Sequence, residues 1–542
     1  MDRGVVKCNI GSLVKNSYYF VVGIFFLIIV IPIIGLFYKF EFDLVYFTTF
    51  FQSKYNIRII YVSFIQAFLS SIISCIIAIP FALSLFRQKK NRINKLLISL
   101  SGYSFVLPPI LIVYSFIGIY GLNGILNKLT NFYNFFEIKT LFGLKAILIA
   151  HILLNTPFAT RMFFQNLNSM PKSYIDVAKS MNFGFFQNLI NLEWPLIKQN
   201  FFTVFSIIFI LCFLSFAIVM ALGGGPRYST MEVAIYQSVF FELNFNKAII
   251  LSLIQIIICL IFIVIGFFNL RGSNYFDIQT EQFEYLFSKN KIIRFSDYII
   301  ILLFSLFLFS PILYIFYNFL FNLINTKFFL NINFIKAFIN SLFLCIISGF
   351  LVSFFGFLIS LVLVNSRNKI FHQQILFIFS SIIIIISPII ISLGYFIILG
   401  ELRYINLVNY FIIILINCIF LIPFSILILF TKLKNIFLNF HDIKEGFRIN
   451  DKKFIFIIFP LIKKNIFFVF SFASALSFGD FTIISFFKND SFQTLPTLLY
   501  KLISAYKFNE ASFVAGFILI FSLSIYLLFD NWFYKDKPDR SI

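Results

Sequence analysis

Apolar runs separated by short polar segments recur from one end of the chain to the other. About 20 helical residues cross the roughly 30 Å of bilayer hydrocarbon. Twelve runs of that order are legible, at roughly 18–38, 58–86, 99–120, 141–160, 201–222, 248–270, 296–323, 337–365, 373–400, 405–431, 465–487 and 511–530. An unpaired backbone group is costly in lipid, so each run is predicted to be a helix. Two polar segments between runs resemble each other. Residues 171–198 read PKSYIDVAKSMNFGFFQNLINLEWPLIK and residues 439–463 read NFHDIKEGFRINDKKFIFIIFPLIK. Pro195-Leu196-Ile197-Lys198 returns 265 positions later as Pro460-Leu461-Ile462-Lys463. Phe64-Ile65-Gln66-Ala67-Phe68 matches Phe334-Ile335-Lys336-Ala337-Phe338 near the start of a run, and Pro157-Phe158 matches Pro423-Phe424. The expected fold is an all-α polytopic membrane protein of about 12 transmembrane helices in two parallel six-helix repeats. The first repeat is 1–270, the polar connection is cytoplasmic at 271–295, and the second repeat is 296–542. An even number of spans per half keeps both halves in one orientation, related by an axis along the membrane normal.

Each duplicated segment, at about 171–198 and 436–463, is expected to begin as a short amphipathic helix. Ile175, Ala178 and Met181 recur at three-residue spacing and are assigned to one face, with Asp176 and Lys179 elsewhere. In the second copy Phe440, Ile443 and Phe447 line a face beside Lys444 and Glu445. A helix of about ten residues is marginal alone in water and needs a surface to rest on. That surface is lipid, the chain's own membrane body or another protein. Two such helices at matched places favour a two-part partner over lipid.

Composition narrows the class. The chain is 60% hydrophobic with only 12% charged residues, which excludes a soluble domain. Its formal net charge of +21 is not spread as a nucleic-acid footprint. Basic residues gather in alternate loops: Arg87, Lys89, Lys90, Arg92 and Lys95 in one, and Lys432, Lys434, Lys444, Arg448, Lys452, Lys453, Lys463 and Lys464 in another. This is the positive-inside pattern, and it puts both termini in the cytoplasm. The segments on the other side, about 39–57, 121–140, 223–247 and 488–510, are too short to fold as a binding domain, so another protein must capture the substrate there. The first run lacks a small-residue cleavage site and is read as an uncleaved span. Five of the six cysteines fall singly within spans, as small apolar residues, and no metal-ligand spacing occurs.

Chemistry-bearing residues inside the spans are few. Asp480, in Ser-Phe-Gly-Asp-Phe, is an intramembrane carboxylate, and such a group marks a functional site by default. Its repeat counterpart is Ser215, so a site there is asymmetric. One carboxylate draws a cation; equally, it serves as a helix–helix hydrogen-bond partner beside Gly479. His151, alone on an apolar span, reads first as a helix–helix hydrogen bond and second as a pathway residue. Gly223-Gly224-Gly225-Pro226 turns the chain at the end of a span, as a plain loop or an outer gate. No phosphate-binding loop, nucleophile elbow or dinucleotide fingerprint is present, so no catalytic residue, metal or cofactor is assigned to this chain.

The duplicated segments resemble the Glu-Ala-Ala loops of binding-protein-dependent ABC importer permeases, with Asp176-Val177-Ala178 at the family triplet. Asn182 and Phe447 stand where the family has Gly, and Gly446 precedes Phe447, so the second turn is placed on Gly446. The stretches 150–161, 215–237 and 476–500 resemble the thiamine permeases of that family, over nearly the whole chain. The resemblance implies coupling helices seated on two copies of a cytoplasmic ATPase that holds ATP and magnesium. It also implies a periplasmic thiamine-binding protein, and alternating access for thiamine or its phosphate esters across a bacterial inner membrane. A ferric-iron or other small-solute permease of the family is the alternative. A secondary transporter would need charged groups in several spans, and a lipid-modifying membrane enzyme would need clustered His, Asp or Glu. Asp480 and three scattered histidines fit neither.

Overall fold

A computed structural model describes residues 23, 30–40, 44–89, 91–104, 106–130, 142–268, 290–322, 331–365, 386–447, 451–489 and 492–534. Among them the ordered elements are helices, apart from one isolated bridge between Asn489 and Phe492. The helices that matter below are α1 Lys54–Arg87, α2 Pro109–Tyr120, α3 Leu144–Asn168, α4 Lys172–Ser180, α5 Trp194–Phe213, α6 Ala217–Leu222, α7 Met231–Phe240 and α8 Phe245–Phe268. They continue as α9 Lys291–Asn322, α10 Ile332–Asn365, α11 Pro388–Leu399, α12 Asn406–Gly446, α13 Asp451–Phe478, α14 Thr482–Phe487, α15 Leu495–Ser504 and α16 Phe508–Tyr534. Ten helices among the described residues are long and apolar enough to cross a bilayer. Of the other two expected spans, 18–38 is described mainly from residue 30. Span 373–400 is described from residue 386, where the short apolar helix α11 lies. The expected connection at 271–295 lies outside the described residues up to 289.

The chain forms two compact units. One comprises 41–330 and 498–520; the other comprises 1–40, 331–497 and 521–542. In the first, α1 packs along α3 and α5, α5 along α8, and α9 against α1 and α2. Helix α1 presents Ser63, Ala67, Ser70, Ser74, Ala78 and Ala82 as a buried line of small residues, which lets neighbouring backbones approach closely. In the second unit α10 packs along α12 and α13. A methyl group at Gly356 would lie 2.7 Å from Ser425 Cβ, so only Gly permits that crossing of α10 and α12. Cys75, Cys212, Cys259, Cys345 and Cys418 are buried free thiols, as expected of small apolar residues.

Several elements recur in matched form. Helices α1 and α10 are each 34 residues, α2 and α11 each 12, α6 and α14 each six, and α7 and α15 each ten. Ser63 and Ser341, the tenth residues of α1 and α10, accept the first amides of α7 and α15 (Met231 N–H at 2.8 Å, Leu495 N–H at 2.9 Å). The last carbonyl of α6, at Leu222, accepts from Gly143 N–H at 2.9 Å. The last carbonyl of α14, at Phe487, accepts from Asn409 Nδ2 at 3.1 Å. Left-handed residues Leu243 and Tyr506 lead into α8 and α16. This register corrects one sequence match. Phe64 is the eleventh residue of α1 and Phe334 the third of α10, so the Phe-Ile-x-Ala-Phe matches are not structurally equivalent. Two of the short segments expected on the non-cytoplasmic side, about 223–247 and 488–510, contain the ordered helices α7 and α15.

Candidate functional site

In the first duplicated segment, α3 ends at Asn168, and Pro171, whose ring and missing N–H disfavour a continuous helix, precedes α4 with an extended backbone. Ile175 and Ala178 are each 1% exposed, so the chain itself already covers them. Met181 does not share their face: it lies just past the helix and is 62% exposed. The reason is geometric. Three-residue steps fall short of the 3.6-residue turn and rotate by about 60° each, so two steps carry Met181 well round the helix. Tyr174, Val177 and Met181 form the exposed apolar stripe instead, at i, i+3 and i+7. Asp176 and Lys179 pair at 3.8 Å in solvent. Asn182 has φ +53°, the left-handed turn that Gly usually supplies, and Phe183 N–H returns to the Ala178 carbonyl at 3.0 Å. Gln187 Oε1 then accepts from Gly184 N–H at 2.9 Å and starts the next helix.

The second segment is built differently. Its helical part is no separate element: α12 runs unbroken to Gly446. Nothing in 432–445 is Pro or Gly, whereas Pro171 interrupts the first copy. Leu429, Leu433 and Ile436 are buried along this extension, Phe440 is half-buried and Phe447 is exposed. The side chains of Ile443, Lys444 and Glu445 lie outside the described residues. Gly446 closes the helix without a positive φ, so the left-handed turn expected there is absent at that residue.

Both helices that follow the segments break inside the membrane body. Helix α5 stops at Phe213 and α6 resumes at Ala217; α13 stops at Phe478 and α14 resumes at Thr482. The breaks contain Ser215 in one case and Gly479-Asp480 in the other, 265 positions apart. Interrupted membrane helices expose backbone groups and half-helix ends, the usual material of transporter sites. Asp480 Oδ1 accepts from Thr482 N–H at 3.0 Å and Ile483 N–H at 3.3 Å, capping α14. Its Oδ2 is buried and has no hydrogen-bond partner among the described residues. The carboxylate thus has one structural oxygen and one uncommitted oxygen. Ser215 is half-buried, and no side chain caps α6. His151 is buried in the unit that also holds Ser215; its Nδ1 lies 3.4 Å from Ser70 Oγ, while Nε2 has no partner among the described residues. Asp480 and Gly479 belong to the other unit.

No protein-family model matches the chain. Over 501 residues it is 31% identical to the thiamine transport system permease protein ThiP of Haemophilus influenzae, covering 91% of each chain. The protein of the same name from Escherichia coli is 27% identical over 486 residues, covering 88% of this chain and 89% of that one. The probable transport system permease protein NifC of Clostridium pasteurianum is 23% identical over 145 residues, half of its length.

Proposed function

This chain belongs to the family of thiamine transport system permease proteins, and from that membership we propose how it moves its substrate. It is the membrane-spanning permease subunit of a thiamine ABC transport system. The observation that carries this reading is the end-to-end similarity, 31% over nine-tenths of both chains. The finer account is ours. The chain has twelve spans in two parallel repeats, a reading supported by the matched helix lengths and the paired serine–amide contacts. It lies in a bacterial inner membrane with both termini cytoplasmic, by the basic loops. Two copies of an ATPase subunit bind the segments at 171–198 and 436–463, and a periplasmic protein delivers thiamine or a thiamine phosphate. ATP and magnesium stay on the ATPase, and no covalent chemistry occurs here. Alternation between outward and inward openings turns on the two helix breaks. In one unit the uncommitted oxygen of Asp480, beside Gly479, meets the thiamine cation; in the other unit, taken by itself, Ser215 and His151 are the pathway residues.

The test is uptake of labelled thiamine into proteoliposomes holding this chain, its ATPase and the binding protein. Replacing the phosphate-loop lysine of the ATPase abolishes uptake under this account. Uptake that persists and follows a proton gradient contradicts it.

A further inference from the structure

A buried ionic cluster joins the end of the first duplicated segment to α1 and α9. Arg87, the last residue of α1, grips Glu193 with both arms of its guanidinium: Nε to Oε1 at 3.1 Å and Nη2 to Oε2 at 2.6 Å. Its Nη1 lies 3.6 Å from Asp297 Oδ1 in the first turns of α9. Gln88 Nε2 donates to Asp297 Oδ2 at 3.1 Å. The guanidinium also sits 4.7 Å from the centre of the Phe185 ring. Arg87, Glu193 and Asp297 are 7%, 0% and 1% exposed.

The local backbone is shaped to make this contact. Residues 189–193 form one turn of π-helix between Phe185–Asn188 and α5. Buried positions run Asn188, Glu193, Ile197, Asn200 and Val204, so the step across the π turn is five residues where later steps are three or four. That wider step swings Glu193 inward to Arg87, and π turns of this kind gather at functional places. Burying three charged groups is expensive, and a buried ion pair is weak evidence for stability alone. What the cluster supplies is a fixed geometry. It ties the return limb of the first duplicated segment (Phe185 and Glu193) to the end of α1 and the start of α9. The second segment has no such tie at the same place: two residues before Pro460 stands Ile458, buried and apolar, where Glu193 precedes Pro195.

We propose that Arg87, Glu193 and Asp297 are positioning residues for energy coupling, transmitting movement of the first ATPase-docking segment to α1 and α9. This rests on the reading that residues 171–198 dock an ATPase. The two halves of the transporter are then coupled unequally, the first through an ionic tie and the second through apolar packing.

The experiment measures thiamine taken up per ATP hydrolysed by the reconstituted complex with its binding protein. Glu193→Gln is the informative variant, because it is isosteric and leaves Arg87 balanced by Asp297. ATPase co-purification is measured in parallel, since Glu193 is buried and off the exposed stripe. The expected result is a retained ATPase with uptake per ATP lowered by about tenfold, the scale of one charge-assisted hydrogen bond. An unchanged ratio in an assembled complex overturns the proposal, including the case in which uptake and hydrolysis fall together. Failure of the unaltered chain to bind any ATPase is a different outcome and removes the docking reading itself. If Glu193→Gln does not accumulate, Arg87→Lys is read the same way. It keeps the charge but loses the fork, so a partial fall in the ratio supports the proposal and an unchanged ratio overturns it.

Discussion

Asn182 holds a backbone conformation that costs most L-residues about 1–2 kcal/mol, and Asn is among the few that adopt it routinely. Asn182→Gly should therefore leave the first docking segment intact. Asn182→Val should loosen it by about that energy, read as faster proteolysis at residues 171–198 in membranes. Asp480 separates two roles by atom. Asp480→Asn keeps the oxygen that caps α14 and removes the charge on the free oxygen. Normal assembly with uptake reduced several-fold is expected; undiminished uptake would make the carboxylate only a cap. Lys89, just past α1, donates to Asn168 Oδ1 at 3.1 Å, and burial draws its ammonium from 10.5 to about 8. A lysine lowered by folding sheds its proton first in the folded state, so the fold gains as pH rises from about 8 towards 10.5. At pH near 8 it should acylate ahead of the exposed lysines, and equal labelling would refute the shift. At this scale the sequence made Asn182 and Asp480 legible, because each breaks a pattern. Arg87, Glu193 and Asp297 were not legible. They stand more than a hundred positions apart in part, and each reads locally as an ordinary loop-end charge.

Helix α4 shows how spacing misleads over a short element. Three apolar residues at i, i+3 and i+6 look like one face, yet the third has drifted well off it, and the structure exposes Tyr174, Val177 and Met181 together. The covered and exposed faces make separable predictions. Val177→Asp should leave membrane insertion and yield unchanged and weaken ATPase co-purification by about tenfold or more, as loss of an interface anchor does. Ala178→Asp places a carboxylate in a covered site and should lower the yield of the chain itself. If the two substitutions act alike on yield and binding, the assignment of faces is wrong. The second copy was misread for a different reason. Likeness to the first implied a separate short helix, but a helix stops only where something stops it. Without a counterpart of Pro171, α12 continues to Gly446.

Over the whole molecule, hydropathy was the most legible signal: ten helices long enough to cross a bilayer overlap the apolar runs, although the runs read at 99–120, 201–222 and 465–487 are found shifted, at 109–130, 185–213 and 456–478. The breaks between α5 and α6 and between α13 and α14 were invisible to hydropathy, since both sides of each break are equally apolar. Similarity of short motifs located the duplicated segments but slipped by eight residues between α1 and α10, where only the hydrogen bonds of Ser63 and Ser341 set the register. The central claim is that this chain is the thiamine path of an ATP-driven importer. It is tested most directly by the ATPase activity of the reconstituted complex with its binding protein, titrated with thiamine, thiamine phosphates and ferric ion. Stimulation by thiamine or its phosphates, accompanied by uptake of the same compound, is the predicted result. Stimulation by ferric ion with none by thiamine or its phosphates would contradict the account.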